Sequence, residues 1–295
     1  MINFLKRLFG GGSEGPPKPA QTSAPIAYTI EKDPPLPQED IDAFLDWYRQ
    51  QRKPAVRFTP DPEAEIEPLA SRIFGPAFLP DGEEWPRDDN GEPLEFLAQI
   101  NLADCSSLDG YPREGVVQFF IGIDDVFGAD FDNLLGGQRL VRVIASDAQG
   151  RLHERPPISR EDEYLYSASQ SDPVRTRGVM LVAEPFEDQM DLSNKEADGK
   201  FFRLASTHDV DRLYEAIDAI DQQRALCHHT GGYPAFTQSD IRFEAEYEDF
   251  DHVLLRLTSD DILMWGDAGE CVFMMRSADL ARGDFSQVIY SWDCS

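Results

Sequence analysis

Leu94–Asp104, LEFLAQINLAD, and Gly115–Asp125, GVVQFFIGIDD, return later in the chain as His252–Asp261, HVLLRLTSDD, and Gly269–Asp279, GECVFMMRSAD. A glycine-bearing turn precedes each set, Gly75-Pro76-Ala77-Phe78 in the first and Gly232-Tyr233-Pro234-Ala235-Phe236 in the second. The order is kept, and the spacing between partners changes only from 157 or 158 residues to 154. Short apolar runs rich in β-branched and aromatic residues, bounded by glycine and acids, read as buried strands. Each copy then presents an apolar sheet face that needs cover, and its twin is the cover nearest to hand. The expected fold is α+β and mainly antiparallel β. It has two pseudo-symmetric repeats, about residues 67–145 and 228–295, packed as one domain over 38–295 with flanking helices.

Outside the repeated blocks, Leu140–Ala145 and Val179–Ala183 are further strand runs. Ile41, Phe44, Leu45 and Tyr48 recur at helical spacing and predict a helix over Gln38–Lys53, stopped by Pro54. Val210, Leu213, Ile217 and Ile220 predict a second over Asp209–Leu226, with His208 or Asp209 near its cap. Residues 1–37 read as a flexible Pro/Gly-rich arm, because seven prolines stand among small polar residues between Ser13 and Pro37. At its tip, residues 1–9 put Ile2, Leu5 and Phe9 on one helical face beside Lys6 and Arg7, an amphipathic element suited to weak peripheral membrane contact.

Composition narrows the partner. Of the 295 residues, 27 are Lys or Arg and 55 are Asp or Glu, a formal charge of −28 that repels nucleic-acid phosphate and anionic lipid. No nucleic-acid partner is expected; a basic protein is. The four cysteines are scattered with no CxxC pair, no secretory leader is recognised at Met1, and the longest apolar runs are strand-sized. A cytoplasmic location is expected, with thiols reduced there.

The repeated blocks also carry a family resemblance. SRIFGPAFLPDGEEWP at Ser71–Pro86, PLEFLAQINLAD at Pro93–Asp104, GVVQFFIGIDD at Gly115–Asp125, HHTGGYPAFTQSDIR at His228–Arg242 and MWGDAGECVFMM at Met264–Met275 together resemble the YwqG-like family, a bacterial domain family of uncharacterised function. The resemblance runs from about Glu67 to the C-terminus. It implies a mainly antiparallel α+β fold with internal duplication, an intracellular setting near toxin and immunity systems, and no established catalysis. Phe74 stands where the family more usually has a second glycine, whereas Gly231-Gly232 keeps the pair.

Several clusters could carry chemistry. Cys227-His228-His229 offers a thiol and two imidazoles, but neighbours on an extended chain face opposite ways, and His228 reads better as a hydrogen-bonding partner of the Gly231-Gly232 turn. Asp124, Asp125, Asp130, Asp132 and Asn133 form an acidic loop without EF-hand spacing and read as a solvated turn. Asp260-Asp261 and Asp267 flank Trp265-Gly266 and read as turn caps. Gln238, Asp240 and Arg242, at alternate positions of a presumed extended segment with Tyr233, would line a polar groove near Trp265; the alternative is a buried ion-pair network in which Arg242 pairs with Asp240 or Asp267. Arg72, Trp85 and Gln99 would line its counterpart in the first half, Gln99 aligning with Arg256. No phosphate loop, dinucleotide fingerprint or nucleophile elbow is present, so no cofactor, metal or catalytic residue is assigned. The expected function is a non-enzymatic acidic binding protein, with a basic toxin or effector as partner. The alternatives are a hydrolase-type enzyme around His228, Asp240 and Asp267 and a membrane-peripheral scaffold using Met1–Phe9.

Overall fold

Every residue of Val116–Ile121 and Glu270–Met275 is buried, yet alternate side chains serve different layers. Val117, Phe119 and Ile121 join Cys271, Phe273 and Met275 in one large core, while Phe120 belongs to a second cluster and Val272 and Met274 to a third. A strand buried on both faces reads as a continuous apolar run, which is why these blocks stand out in the sequence.

The computed structural model describes residues 33–158, 167–169, 171–222 and 226–295. The expected arm through residue 32, with its Met1–Phe9 tip, lies outside the described residues. From Pro34 onward the chain is a single unit. Its elements are α1 (Gln38–Arg49), β1 (Arg52–Asp61), β2 (Arg72–Ile73), β3 (Ala77–Pro80), β4 (Glu95–Asn101), β5 (Val116–Ile121), β6 (Arg139–Ile144) and β7 (Gly150–His153). They continue with α2 (Asp172–Arg177), β8 (Val179–Gln189), α3 (Lys195–Ala205), α4 (Asp211–Asp221), β9 (His228–Gly231), β10 (His252–Thr258), β11 (Glu270–Met275), α5 (Ser277–Leu280) and β12 (Ile289–Asp293).

Ten strands form one antiparallel sheet in the order β12-β11-β10-β9-β1-β8-β2-β4-β5-β6, and β3 pairs with β7 apart from it. The order runs from a block of late strands through β1 and β8 to a block of early ones. One face of both blocks shares the main core, where the Phe119 and Phe273 rings meet at 4.8 Å. On the opposite face, β3 with Trp85 covers β4 and β5, while α1, α3 and α4 pack on one another through Phe44, Tyr48, Ala197, Leu213 and Ile217 at the Arg52–Gln189 end of β1 and β8, where Gln189 Nε2 donates to the Tyr48 carbonyl. The sequence-based expectation of an α+β, mainly antiparallel fold matches this architecture.

Both expected helices form, but shorter. α1 stops at Arg49, and Pro54 lies inside β1 instead of ending a helix. α4 covers only Asp211–Asp221; Asp209 Oδ1 accepts the Asp211 N–H at 3.1 Å, a turn contact next to Val210 at the cap. Phe74 and Gly75 adopt φ of +56° and +80°, and Gly231 and Gly232 of +72° and +66°. The departure at Phe74 therefore does not change the turn: an L residue holds the left-handed conformation that glycine holds in the later one.

Candidate functional site

Polar side chains are buried in a row across the outer face of the early block. Register sets Arg72 opposite Gln99, Gln99 opposite Gln118 and Gln118 opposite Arg142. Gln99 Nε2 donates to the carbonyls of Pro68 and Ala70, and Gln118 Nε2 to those of Phe78 and to Gln99 Oε1, all at 2.8–3.0 Å. Arg72 Nη1 donates to the carbonyls of Pro76 and Phe74, its guanidinium lies 4.8 Å over the Phe96 ring, and burial pushes its pKa down to about 9. Trp85 is buried on Phe120 and gives its Nε1–H to the Leu94 carbonyl. Gln99 and Arg72 thus bind the Pro68–Pro76 backbone to the sheet instead of facing an open groove. In the late block register sets His229 opposite Arg256, which pairs with Glu270 and approaches His229 Nε2 at 3.3 Å.

The other expected residues are dispersed. Ile241–Phe243 is a 3₁₀ turn, not a strand, because Asp240 caps it: its carboxylate accepts the Arg242 N–H at 2.9 Å and pairs with the Arg242 guanidinium at 2.5 Å. The same carboxylate takes the Lys195 N–H at 2.8 Å and so docks the start of α3. Of the two readings of this segment, the ion pair is the one that forms, and it forms with Asp240; Asp267 is exposed on its turn. Trp265 is wholly buried against Phe127 and Trp292 in the main core, so it lines no groove. Tyr233 is buried among the helices with Lys53 Nζ 4.5 Å over its ring. His228 accepts the Thr258 N–H at Nδ1 (3.3 Å), which leaves the proton on Nε2, 3.1 Å from Asp260 Oδ2. This imidazole is buried, at 2% exposure, while Asp260 is half-buried. Cys227-His228-His229 splits as alternation requires, His228 to Asp260 and His229 to Arg256 and Phe186. Among the described residues no cluster of three metal-ligating side chains occurs.

The open site lies elsewhere. A cleft of about 500 Å³ separates β12 from the loop after Phe236. Phe131, Phe236, Ile241 and Trp292 supply apolar walls, and Asp125, Gln238, Ser291 and Asp293 supply polar groups. Its geometry is held from both sides. The Asp293 carboxylate accepts the backbone N–H groups of Thr237 (3.1 Å) and Gln238 (2.8 Å), and Gln238 Nε2 donates to the Cys294 carbonyl at 2.9 Å. Across the cleft, the acidic loop reaches the edge strand: Trp292 Nε1–H donates to the Val126 carbonyl at 2.7 Å and the Tyr290 N–H to that of Leu134 at 3.1 Å. Asp124 and Asp130 are spent on the loop's own N–H groups, which leaves Asp125 to the cleft. Burial raises the Asp293 pKa against the opposing pull of the Gln238 and Thr237 amides and of Arg256. Of the residues singled out from sequence, Gln238 of the proposed groove and Asp125 of the acidic loop line this cleft. Phe131, Trp292 and Asp293 carried no local signal.

A family described as a domain of unknown function, DUF1963, matches residues 71–294. The chain belongs to that family. The DUF1963 span begins at Ser71, next to the buried Arg72, and ends at Cys294 in the cleft wall, so it contains the whole site and both polar rows. β1 and α1 lie before it. No curated protein matches the chain. Among the described residues of this DUF1963 protein, no helix is long and apolar enough to cross a membrane.

Proposed function

We propose that this protein is a non-enzymatic binding protein whose cleft beside β12 receives a lysine or arginine side chain of a basic protein partner. The observation that carries the reading is the composition of that cleft: exposed Phe131 and partly buried Trp292 beside the carboxylates of Asp125 and Asp293. Aromatic faces and carboxylates both attract a cation that has shed part of its water, and the aliphatic stem of Lys or Arg fits apolar walls. A net charge of −28 steers a basic partner toward the site and rejects acidic ones. A cytoplasmic, YwqG-like identity and a role beside a basic toxin or effector are consistent with this chemistry.

The proposal includes duplication of one half-domain. Arg72 and His229, and Gln99 and Arg256, are 157 residues apart and face each other in the same register. β4 and β10 are irregular at matching places, between Phe96 and Ala98 and between Val253 and Leu255. The Asn101 N–H donates to Ser71 Oγ (2.8 Å), which donates to Asp104 (2.6 Å); 157 residues after Asn101 and Ser71, the Thr258 N–H donates to His228, which meets Asp260, 156 residues after Asp104.

Binding of a lysine-rich peptide, followed by Trp fluorescence, tests the cleft. Phe131→Ala and Asp125→Asn are each expected to weaken binding about tenfold, and rising salt to weaken it further. Equal affinity of both variants and the parent chain would remove the cleft from the binding surface.

A further inference from the structure

In the cleft beside β12, charge and ring surface are plentiful, while several of the hydrogen-bond acceptors are already engaged. The two oxygens of Asp293 take the Thr237 and Gln238 N–H groups, the Val126 carbonyl takes the Trp292 indole N–H, and the Cys294 carbonyl takes Gln238 Nε2. Val126, Asp293 and Cys294 all line the cleft, and the Asp125 carboxylate stands exposed beside them. The Phe131 and Trp292 rings lie 6.0 Å apart and are inclined at 59°, so two ring faces of different direction border the space. Phe127 and Trp265 pack on Trp292 from the core at 5.1 and 6.5 Å, and the bond to Val126 fixes the indole plane. Phe236 and Ile241 complete the apolar wall.

A lysine ammonium brings three N–H donors and a tightly held water shell, and an arginine brings five donors. Each donor that leaves water for a place without an acceptor is costly. Trimethylation of lysine keeps the positive charge, removes every N–H and spreads the charge over methyl groups that aromatic faces attract. We infer that the cleft selects a trimethylated lysine side chain of its protein partner over unmodified lysine or arginine. The inference rests on the reading of the cleft as a receptor for a cationic side chain, and adds to it the class of cation. Asp125 and Asp293 supply the negative field, Phe131 and Trp292 the ring faces, and Phe236 and Ile241 the apolar surface for the aliphatic stem.

The test is a titration of the full chain, followed by Trp fluorescence, with a lysine-rich peptide in three forms of equal charge: unmodified, trimethylated at every lysine, and with arginine for each lysine. The trimethylated form is expected to bind about fivefold more tightly than either of the others. Phe131→Leu keeps apolar bulk at an exposed position but removes the ring, and there the preference is expected to shrink to within about twofold. Choline chloride is expected to displace the bound peptide, whereas dimethylbutanol, its uncharged carbon isostere, is not. A trimethylated peptide that binds no better than the other two, a preference unchanged in Phe131→Leu, or equal displacement by choline and dimethylbutanol would each overturn the inference while leaving a site for basic side chains. Binding of none of the three peptides would instead remove that site, and the inference with it.

Discussion

Phe74 spends backbone energy to place a ring. Its φ of +56° costs an L residue about 1–2 kcal/mol, and the side chain, with no exposed surface, recovers that by filling the main core. Phe74→Ala is expected to lose about 3–5 kcal/mol, the usual range for a buried aromatic. Phe74→Gly is expected to be the more stable of the two by about 1 kcal/mol, the reverse of the ordinary order, because glycine accepts the left-handed conformation. Urea unfolding of the two variants decides it, and an Ala variant at least as stable as the Gly variant would refute the strain. His252 gives a pH signature of its own. Nε2 lies 2.5 Å from Tyr111 Oη, which also meets Thr230 Oγ1 at 2.6 Å. Burial pushes the His252 pKa from 6.5 down to about 4, with Asp251 opposing and Lys53 assisting. Between those values the unfolded chain binds a proton that the folded chain refuses. Stability contributed by neutral His252 is thus complete above pH 6.5 and lost as pH falls toward 4, by about 3 kcal/mol at most. In His252→Gln that part of the acid dependence should vanish; parallel stability curves for parent and variant between pH 7 and 4 would disprove it.

At the scale of elements, the cleft depends on one carboxylate. Asp293 at the end of β12 holds two backbone N–H groups of the 237–238 segment, and bonds to a charged acceptor contribute about 1.5–3 kcal/mol each when buried. Asp293 is only partly buried, so Asp293→Ala is expected to cost about 2 kcal/mol in all and to raise hydrogen exchange at Thr237 and Gln238 selectively. Unchanged exchange there would mean that the loop is held by something else. Neither β12 nor this contact was legible in the sequence. Blocks such as Val116–Ile121 announce themselves because both faces are buried, whereas Ile289–Asp293 is a short edge strand, buried over its first three residues and half-buried over its last two. β1 was hidden for a different reason. Pro54 and Pro60 argue against a central strand, yet β9 pairs only with Ala55–Phe58; Pro60 lies beyond that pairing, and Pro54 meets the β9 side through its carbonyl, which accepts the Gly232 N–H at 3.0 Å, so neither needs an N–H there. α3 carries Gly199 in mid-helix, and Asn194 with Asp240 at its start supplies the order that its composition does not. The cleft joins an acidic loop and an edge strand about 160 residues apart, and Asp125 alone reads as an ordinary solvated turn.

For the whole molecule, the consequential feature is how the two central strands are shared. β1 precedes the early block in sequence but pairs with β9 of the late one, and β8 pairs with β2 of the early block; β1 and β8 then pair with each other over ten residues. The half-repeats read from sequence, 67–145 and 228–295, omit both. The interior is shared as well, since Phe119 and Phe273, 154 residues apart, pack ring to ring on the main core. Each block alone would leave one apolar face and one strand edge uncovered, a state that burial strongly disfavours and that invites association with another chain. Residues 34–158 carry β1 to β7, and residues 167–295 carry β8 to β12. Produced separately, neither piece is expected to show dispersed amide resonances or near-ultraviolet aromatic signal. Mixed at equal concentration, they are expected to recover both, because every strand and both sides of the Phe119–Phe273 contact are then present. A fragment that folds alone, with sharp dispersion unaltered by adding its partner, would show that the blocks own separate cores and would undo the account of a shared interior.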